Sequence, residues 1–325
     1  MTDSVLHDLL SEACHHAGAE PGQTLRQRSG DFVRCAEADP TLLKAAAESL
    51  QTLPPAGAGW IALLLGVAVE RGADPAQTMP ALVQCLRSWL QQLPTPVITQ
   101  DEEGEEQEDY PDPTPAQQEL IEALQPFGQS LVAHLAQMPA ERQKLGEDTA
   151  LLERLTTLSG YGYGLAWVLE ALRRKSGTLI VLHPPTGAGL KLRYENVSRN
   201  FHLFSLLQIA VGTRFPGGQQ PDPKIAAAAR GQTSDEVHDQ AWWHYGDPRS
   251  KTPEPLTSIW GEGLVTEIPV INGSRVMLLW PPIMQRGWDG SFFSPHLEAL
   301  PANVVVEEDL SAESAREWLK TLGVA

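Results

Sequence analysis

Positive charge is scarce in this chain. Lysine and arginine number 24 against 41 aspartates and glutamates, giving a formal net charge of −17. Nonspecific nucleic-acid binding needs a stripe of basic side chains to release counterions from phosphates. The densest basic group is Arg173, Arg174 and Lys175, at the end of a predicted helix, where cations complement the helix dipole. Nucleic acid is not expected as a partner.

Cysteine is scarcer still. Cys14, Cys35 and Cys85 are widely spaced, odd in number, and form no Cys-x-x-Cys pair. A disulfide framework is excluded, and a reducing compartment fits. Long apolar runs are absent too. The longest, Trp60 to Val69, covers ten residues, and a membrane helix needs about twenty. The N-terminus has no basic segment followed by an apolar one, so it does not read as a secretory signal. The expected location is the cytoplasm.

Catalytic signatures are also lacking. There is no Gly-x-Ser-x-Gly elbow and no His-Glu-x-x-His helix. Gly187-Ala188-Gly189 follows a strand, but another strand comes next, where a dinucleotide fingerprint needs a helix N-terminus for the pyrophosphate. The glycines at 160, 162 and 164 lack the Lys-Ser/Thr of a phosphate loop. His7, Cys14 and His15 share a predicted helix. The two histidines lie two turns apart, about 12 Å along the axis, too far for one ion. No metal or cofactor is implied, and the balance leans away from an enzyme.

What is present first is helix. Val5, Leu6, Leu9, Leu10 and Ala13 recur at helical spacing. Asp39-Pro40, Asp74-Pro75 and Asp112-Pro113 each precede an apolar-periodic run; Asp caps a first turn and Pro is pre-shaped for it. The spacing predicts helices over 41–52, 57–71, 76–92, 115–137 and 147–174, forming a bundle. The glycines at 160–164 interrupt the last of these or admit a close backbone.

Between the third and fourth of these helices lies a strongly acidic run. Asp101 to Asp112 holds eight acids, without which 33 acids stand against 24 bases. Mutual repulsion and low hydrophobicity predict a mobile linker over 99–113, one that could dock a basic partner.

From residue 176 the pattern turns to strands. The runs 178–182 and 190–194 read as one hairpin, and 265–271 and 274–280, joined by Asn272-Gly273, as another. Phe201–Val211 reads as a helix, 223–230 and 234–243 as further short ones, 304–307 as a strand, and 312–321 as a final helix capped by Ser311. The expected fold is α+β: a helical N-terminal bundle (1–98), the acidic linker, helices over 114–175 bridging to or packing on the rest, and a mixed α/β domain (176–325) with a small sheet built from hairpins.

The most unusual segments are aromatic. Trp242-Trp243-His244-Tyr245 precedes Asp247; Trp260 and Glu262 flank Gly261; Arg286, Trp288 and Asp289 flank Gly287. Large aromatics near turns either pack loops onto a sheet or wall a binding surface. The functional reading makes the indoles the floor of a protein-binding surface, with His244, Asp247, Glu262, Arg286 and Asp289 supplying polar contacts. On this reading, alanine at Trp242 and Trp243 weakens partner binding without unfolding. The rival reading is a small-molecule enzyme or sensor, whose pocket joins His183, at a strand end, to Trp242, Trp243, His244, Asp247 and Trp260.

Overall fold

The computed structural model describes residues 2–16, 21–100, 106–293 and 297–324. The chain divides into two compact units, Met1–Leu172 and Arg173–Ala325.

The first unit carries α1 (Thr2–Cys14), α2 (Gln23–Ala38), α3 (Thr41–Ser49), α4 (Pro55–Glu70) and α5 (Met79–Gln92). A strand pair follows, β1 (Val97–Gln100) with β2 (Glu106–Asp109), then α6 (Pro115–Gln137), α7 (Pro139–Leu145), α8 (Thr149–Leu158) and α9 (Tyr163–Arg173). The cap signals act much as chemistry dictates. Asp39 and Asp74 accept from backbone N–H groups two residues on. At α6 the cap is Thr114, not Asp112, in a reciprocal box with Gln117. The sequence reading leaves 23–38 without a helix, because its apolar positions are diluted by five charged residues; Leu25, Phe32, Val33 and Ala36 of α2 are nonetheless buried.

α4 is apolar on nearly all sides and lies at the centre of this unit. Its seam with α6 is closed by glycine. A Cβ on Gly59 would lie 2.9 Å from Ala123 O, and one on Gly66 would lie 2.8 Å from Ser130 Cα. The same device recurs between α6 and α9, where Gly128 and Gly164 leave no room for side chains. The glycines at 160–164 thus do both things expected of them: the helix breaks after Leu158, and a neighbouring backbone comes close. Segment 114–175 contributes α6 to the first unit through this seam with α4.

The linker expectation changes in its described part. Residues 97–100 and 106–109 pair antiparallel as a hairpin, Val97 opposite Asp109 and Ile98 opposite Glu108. Each acid of β2 faces an uncharged residue of β1, Val97, Ile98 or Gln100, which avoids like charges across the pair and relieves the repulsion that predicts a mobile chain. The acids at 101–105 lie outside the described residues.

The second unit holds β3 (Lys175–His183), β4 (Ala188–Val197), α10 (Asn200–Val211), α11 (Pro223–Ala229), β5 (His238–Gln240), β6 (His244–Gly246), β7 (Val270–Ile271), β8 (Ser274–Trp280), β9 (Gly287–Asp289), β10 (Asn303–Asp309) and α12 (Ala312–Leu322). The main sheet runs β10-β4-β3-β8-β6, with β7 paired to β8. All its pairs are antiparallel except β3 with β8. The hairpins β3–β4 and β7–β8 are those expected, and Asn272 and Gly273 both take positive φ at the second turn.

Alternation along the strands builds two cores. Leu179, Val181, Met277 and Leu279 face α10, with Phe204 and Leu207 on that side. Ile180, Leu182, Val276 and Leu278 face the other way, onto Leu319 of α12. Two local readings change. Residues 234–243 hold no helix but the strand β5, which pairs with β9. In 265–271 only Val270 and Ile271 are strand; 265–267 is a 3-10 turn whose Val265 N–H donates to Ser198 O.

Candidate functional site

α10 is buried almost throughout, polar positions included. Ser205 and Gln208 lie three residues apart, hence on one face, and meet Asp239 of β5. Ser205 Oγ donates to Asp239 Oδ2 at 2.6 Å. Gln208 Nε2 lies 3.1 and 3.2 Å from the two carboxylate oxygens, and the Gln240 N–H donates to Oδ1 at 2.8 Å. Gln208 Oε1 accepts from the Tyr245 hydroxyl at 2.6 Å and from the Trp242 N–H at 2.9 Å. Trp288 Nε1 closes the set by donating to Ser205 Oγ at 2.9 Å.

Burial raises the Asp239 carboxyl above the usual range, against the hydrogen bonds from Ser205, Gln240 and Gln208 that lower it. Burial, then the charge of Asp239, hold the Tyr245 phenol well above its usual range. Every donor here already has an acceptor, and Ser205 is fully buried. The cluster is a satisfied polar network that fixes α10 against β5, β6 and β9. The Ser205 hydroxyl donates to Asp239 and accepts from Trp288, so its proton is committed to a carboxylate that Gln208 also binds.

The aromatic segments divide three ways. Trp243 (1% exposed), Tyr245 and Trp288 (2%) are core side chains, and His244 is buried as well. Trp243 Nε1 donates to Pro216 O at 2.8 Å. The Tyr245 ring stacks on Phe204 at 3.9 Å and the Trp288 ring on Phe201 at 4.9 Å. The indoles of Trp243 and Trp288 therefore do not form the floor of an exposed surface: with the Tyr245 ring they are buried in the core on the α10 side of the sheet. Trp242, Asp247 and Arg286 are half-buried. Arg286 lies over the Phe201 ring at 5.0 Å and donates to Ile259 O at 3.3 Å. Asp247 is tied to its neighbour Arg249. Trp260, Glu262 and Asp289 are exposed, Asp289 with His238 Nδ1 at 3.1 Å.

The pocket expected to join His183 to His244 is not formed. His183 stacks on Phe215 at 5.2 Å and meets Thr186 Oγ1 at 2.9 Å, on the sheet face that carries α10. His244 pairs with Trp280, on the opposite face. Burial, and then the charge of Arg286, favour the neutral form of His244, whose Nε2 is buried without a hydrogen-bond partner.

A cavity of about 240 Å³ lies elsewhere, between α10 and the loops before α11 and around β5. Asp239, Gln208, Gln219, Asp222 and Trp242 line it. Of the expected pocket residues it takes only Trp242. Ser205, Gln208 and Asp239 were not singled out from sequence. The available signal is a polar pair, three apart, in the otherwise apolar run 203–211 of that helix.

The geometry around Trp260 is of another kind. Its indole is 64% exposed, yet its backbone is pinned. Trp260 O accepts from Asn200 Nδ2 at 2.8 Å, Gly261 O from the Phe201 N–H at 2.7 Å, and Gly263 O from the Asn200 N–H at 2.9 Å. The Gly261 and Gly263 carbonyls satisfy backbone N–H groups in the first turn of α10 that have no intrahelical acceptor. A Cβ on Gly261 would overlap the Phe201 ring, and one on Gly263 would overlap Glu267. Beyond Ile259 the 98%-exposed Leu256 continues the surface, and the Arg286–Ile259 bond brings the 281–286 loop, with exposed Ile283 and Met284, alongside.

Among the described residues, no three His, Cys, Asp or Glu side chains come together as a metal site, and no helix is long and apolar enough to cross a membrane. No protein-family model, curated protein or solved structure matches the chain.

Proposed function

We propose that the second unit is a protein-interaction module without catalytic chemistry, and that Trp260 is its anchor. One observation carries this reading: a large aromatic stands in solvent on a backbone held rigid by α10. Binding hot spots are enriched in tryptophan. An anchor that is already ordered loses little conformational freedom on docking. Leu256, Ile283 and Met284 are further exposed apolar side chains of this unit, and Glu262, two residues on from Trp260, is an exposed charge. The partner is a protein surface with a recess that accepts an indole.

The test is recovery of the tagged chain from its native cell extract. A stoichiometric protein should accompany the unaltered chain, and Trp260→Ala should weaken that association about 30-fold. Its melting temperature should not move, since exposed substitutions change stability by less than about 0.5 kcal/mol. A partner held equally well by Trp260→Ala would sink the reading.

A second reading rests on the cavity at Asp239. Asp222 lines that cavity as well, and a carboxylate beside an indole suits a small amine. Trp242 lines that cavity, so saturable quenching of tryptophan fluorescence by a primary amine, lost in Trp242→Phe, is its expected signature. A flat response across a panel of amines removes it.

A further inference from the structure

The β1–β2 hairpin in the first unit is held firmly at both feet and buries neither strand. At the first foot, Arg154 of α8 donates to Leu90 O, to Leu93 O at 2.7 Å and to Thr95 Oγ1 at 2.7 Å. At the second, Tyr110 Oη lies 3.2 Å from Thr157 O and accepts from the Gly160 N–H at 3.3 Å. The Tyr161 ring meets Tyr110 edge-on at 4.8 Å, and a Cβ on Gly160 would overlap it. Between these anchors the strands stand in solvent, with Val97 59% and Ile98 57% exposed.

A two-stranded sheet is marginal by itself, so the feet hold it. Among the described residues no third strand pairs with it. Alternate residues of each strand turn their N–H and C=O groups outward. The two edges differ in chemistry. β2 carries Glu108 and Asp109, and charge is the usual guard of an open edge. β1 reads Val-Ile-Thr-Gln, β-prone and without a charge.

We infer that the free edge of β1 is a docking site for an extended, basic segment of another protein, which adds to the hairpin as a third strand. The backbone groups of β1 supply the pairing. Val97 and Ile98 give the incoming strand apolar neighbours. Glu108 on one face and Asp109 on the other, one strand further in, favour lysine or arginine on whichever face the incoming strand presents them, within about 10 Å. The surface belongs to the first unit and does not depend on Trp260.

The experiment uses the full chain and a fluorescein-labelled peptide of alternating lysine and valine, followed by anisotropy and by amide hydrogen exchange. The expected result is saturable binding that weakens with salt, with slowed exchange at 97–100. The double variant Val97→Lys/Ile98→Lys should lower affinity about tenfold, because like charges then face the peptide across the new pair. Those lysines sit opposite Asp109 and Glu108, so the hairpin itself is kept. Val97→Thr/Ile98→Thr, neutral and β-prone, should bind nearly as the unaltered chain does. Absence of binding, binding without protection at 97–100, or binding indifferent to the lysine pair would each overturn the inference. So would self-association through 97–100, which makes a second copy the occupant.

Discussion

Trp288→Ala is expected to destabilise the second unit by about 4 kcal/mol. The side chain is 2% exposed. It stacks on Phe201 at 4.9 Å, meets Phe204 edge-on at 5.9 Å and Tyr245 at 6.4 Å, and donates to Ser205. Alanine removes the contact area of an indole and leaves a cavity that three other rings cannot close without leaving their own partners. It also takes one donor from the buried Ser205 hydroxyl. Trp288→Phe keeps most of the ring area but not the N–H, and should cost about 1–2 kcal/mol. Urea unfolding followed by circular dichroism measures both. The same measurement on Trp260→Ala should give an unchanged midpoint, although both residues are tryptophans in glycine-flanked loops. If Trp288→Ala unfolds no earlier than the unaltered chain, its placement in the core is wrong.

The second large effect is a loss of stability in acid, centred on His202. This imidazole is buried beneath α11, with Nε2 at 2.7 Å from Ala229 O and its ring stacked on Phe293 at 5.2 Å. Burial lowers its pKa to about 4, and the charge of Arg174 acts in the same direction. The unfolded value is 6.5. The fold therefore favours the neutral ring. The stability this provides is present above about pH 6.5 and is lost as pH falls toward 4. The loss across that window is about 3 kcal/mol. Asp239 works in the opposite sense. Its carboxyl is raised in the fold, so its contribution to stability grows as pH falls through that raised value. Unfolding in urea at pH 7 and pH 4, for the unaltered chain and for His202→Gln, separates the two. The variant should be less stable at pH 7 and should lose much less on acidification. A variant as acid-sensitive as its parent would place the titration elsewhere.

The architecture was legible where periodicity and turn chemistry agree. Asn272-Gly273 between apolar runs, Ser311 before α12, and Asp74-Pro75 ahead of α5 each have a local physical cause that acts before any tertiary contact forms. The candidate site was less legible, because burial is a tertiary property. Trp243, Trp288 and Trp260 sit in similar surroundings of glycine, polar and aromatic residues. Whether a ring points inward depends on where α10 lies, and that follows from strand order rather than from neighbours in sequence. The parallel pairing of β3 with β8 joins residues about a hundred positions apart, and it sets His183 and His244 on opposite faces of the sheet. The strand β5 was read as helix because three residues are too few for a period to show. It forms because β9 offers it a partner.

The glycine seam between α4 and α6 bears on how the first unit comes to be folded. Helical domains reach their structure quickly when most contacts are local. Here the seam brings Gly59 against Ala123 and Gly66 against Ser130, each pair more than sixty residues apart. α4 is synthesised long before α6 and is apolar nearly all round. On the ribosome it has only α1 to α3 to cover it until the chain beyond residue 137 emerges. The unit should therefore refold more slowly than its helix content suggests, and its early intermediate should be the species that aggregates.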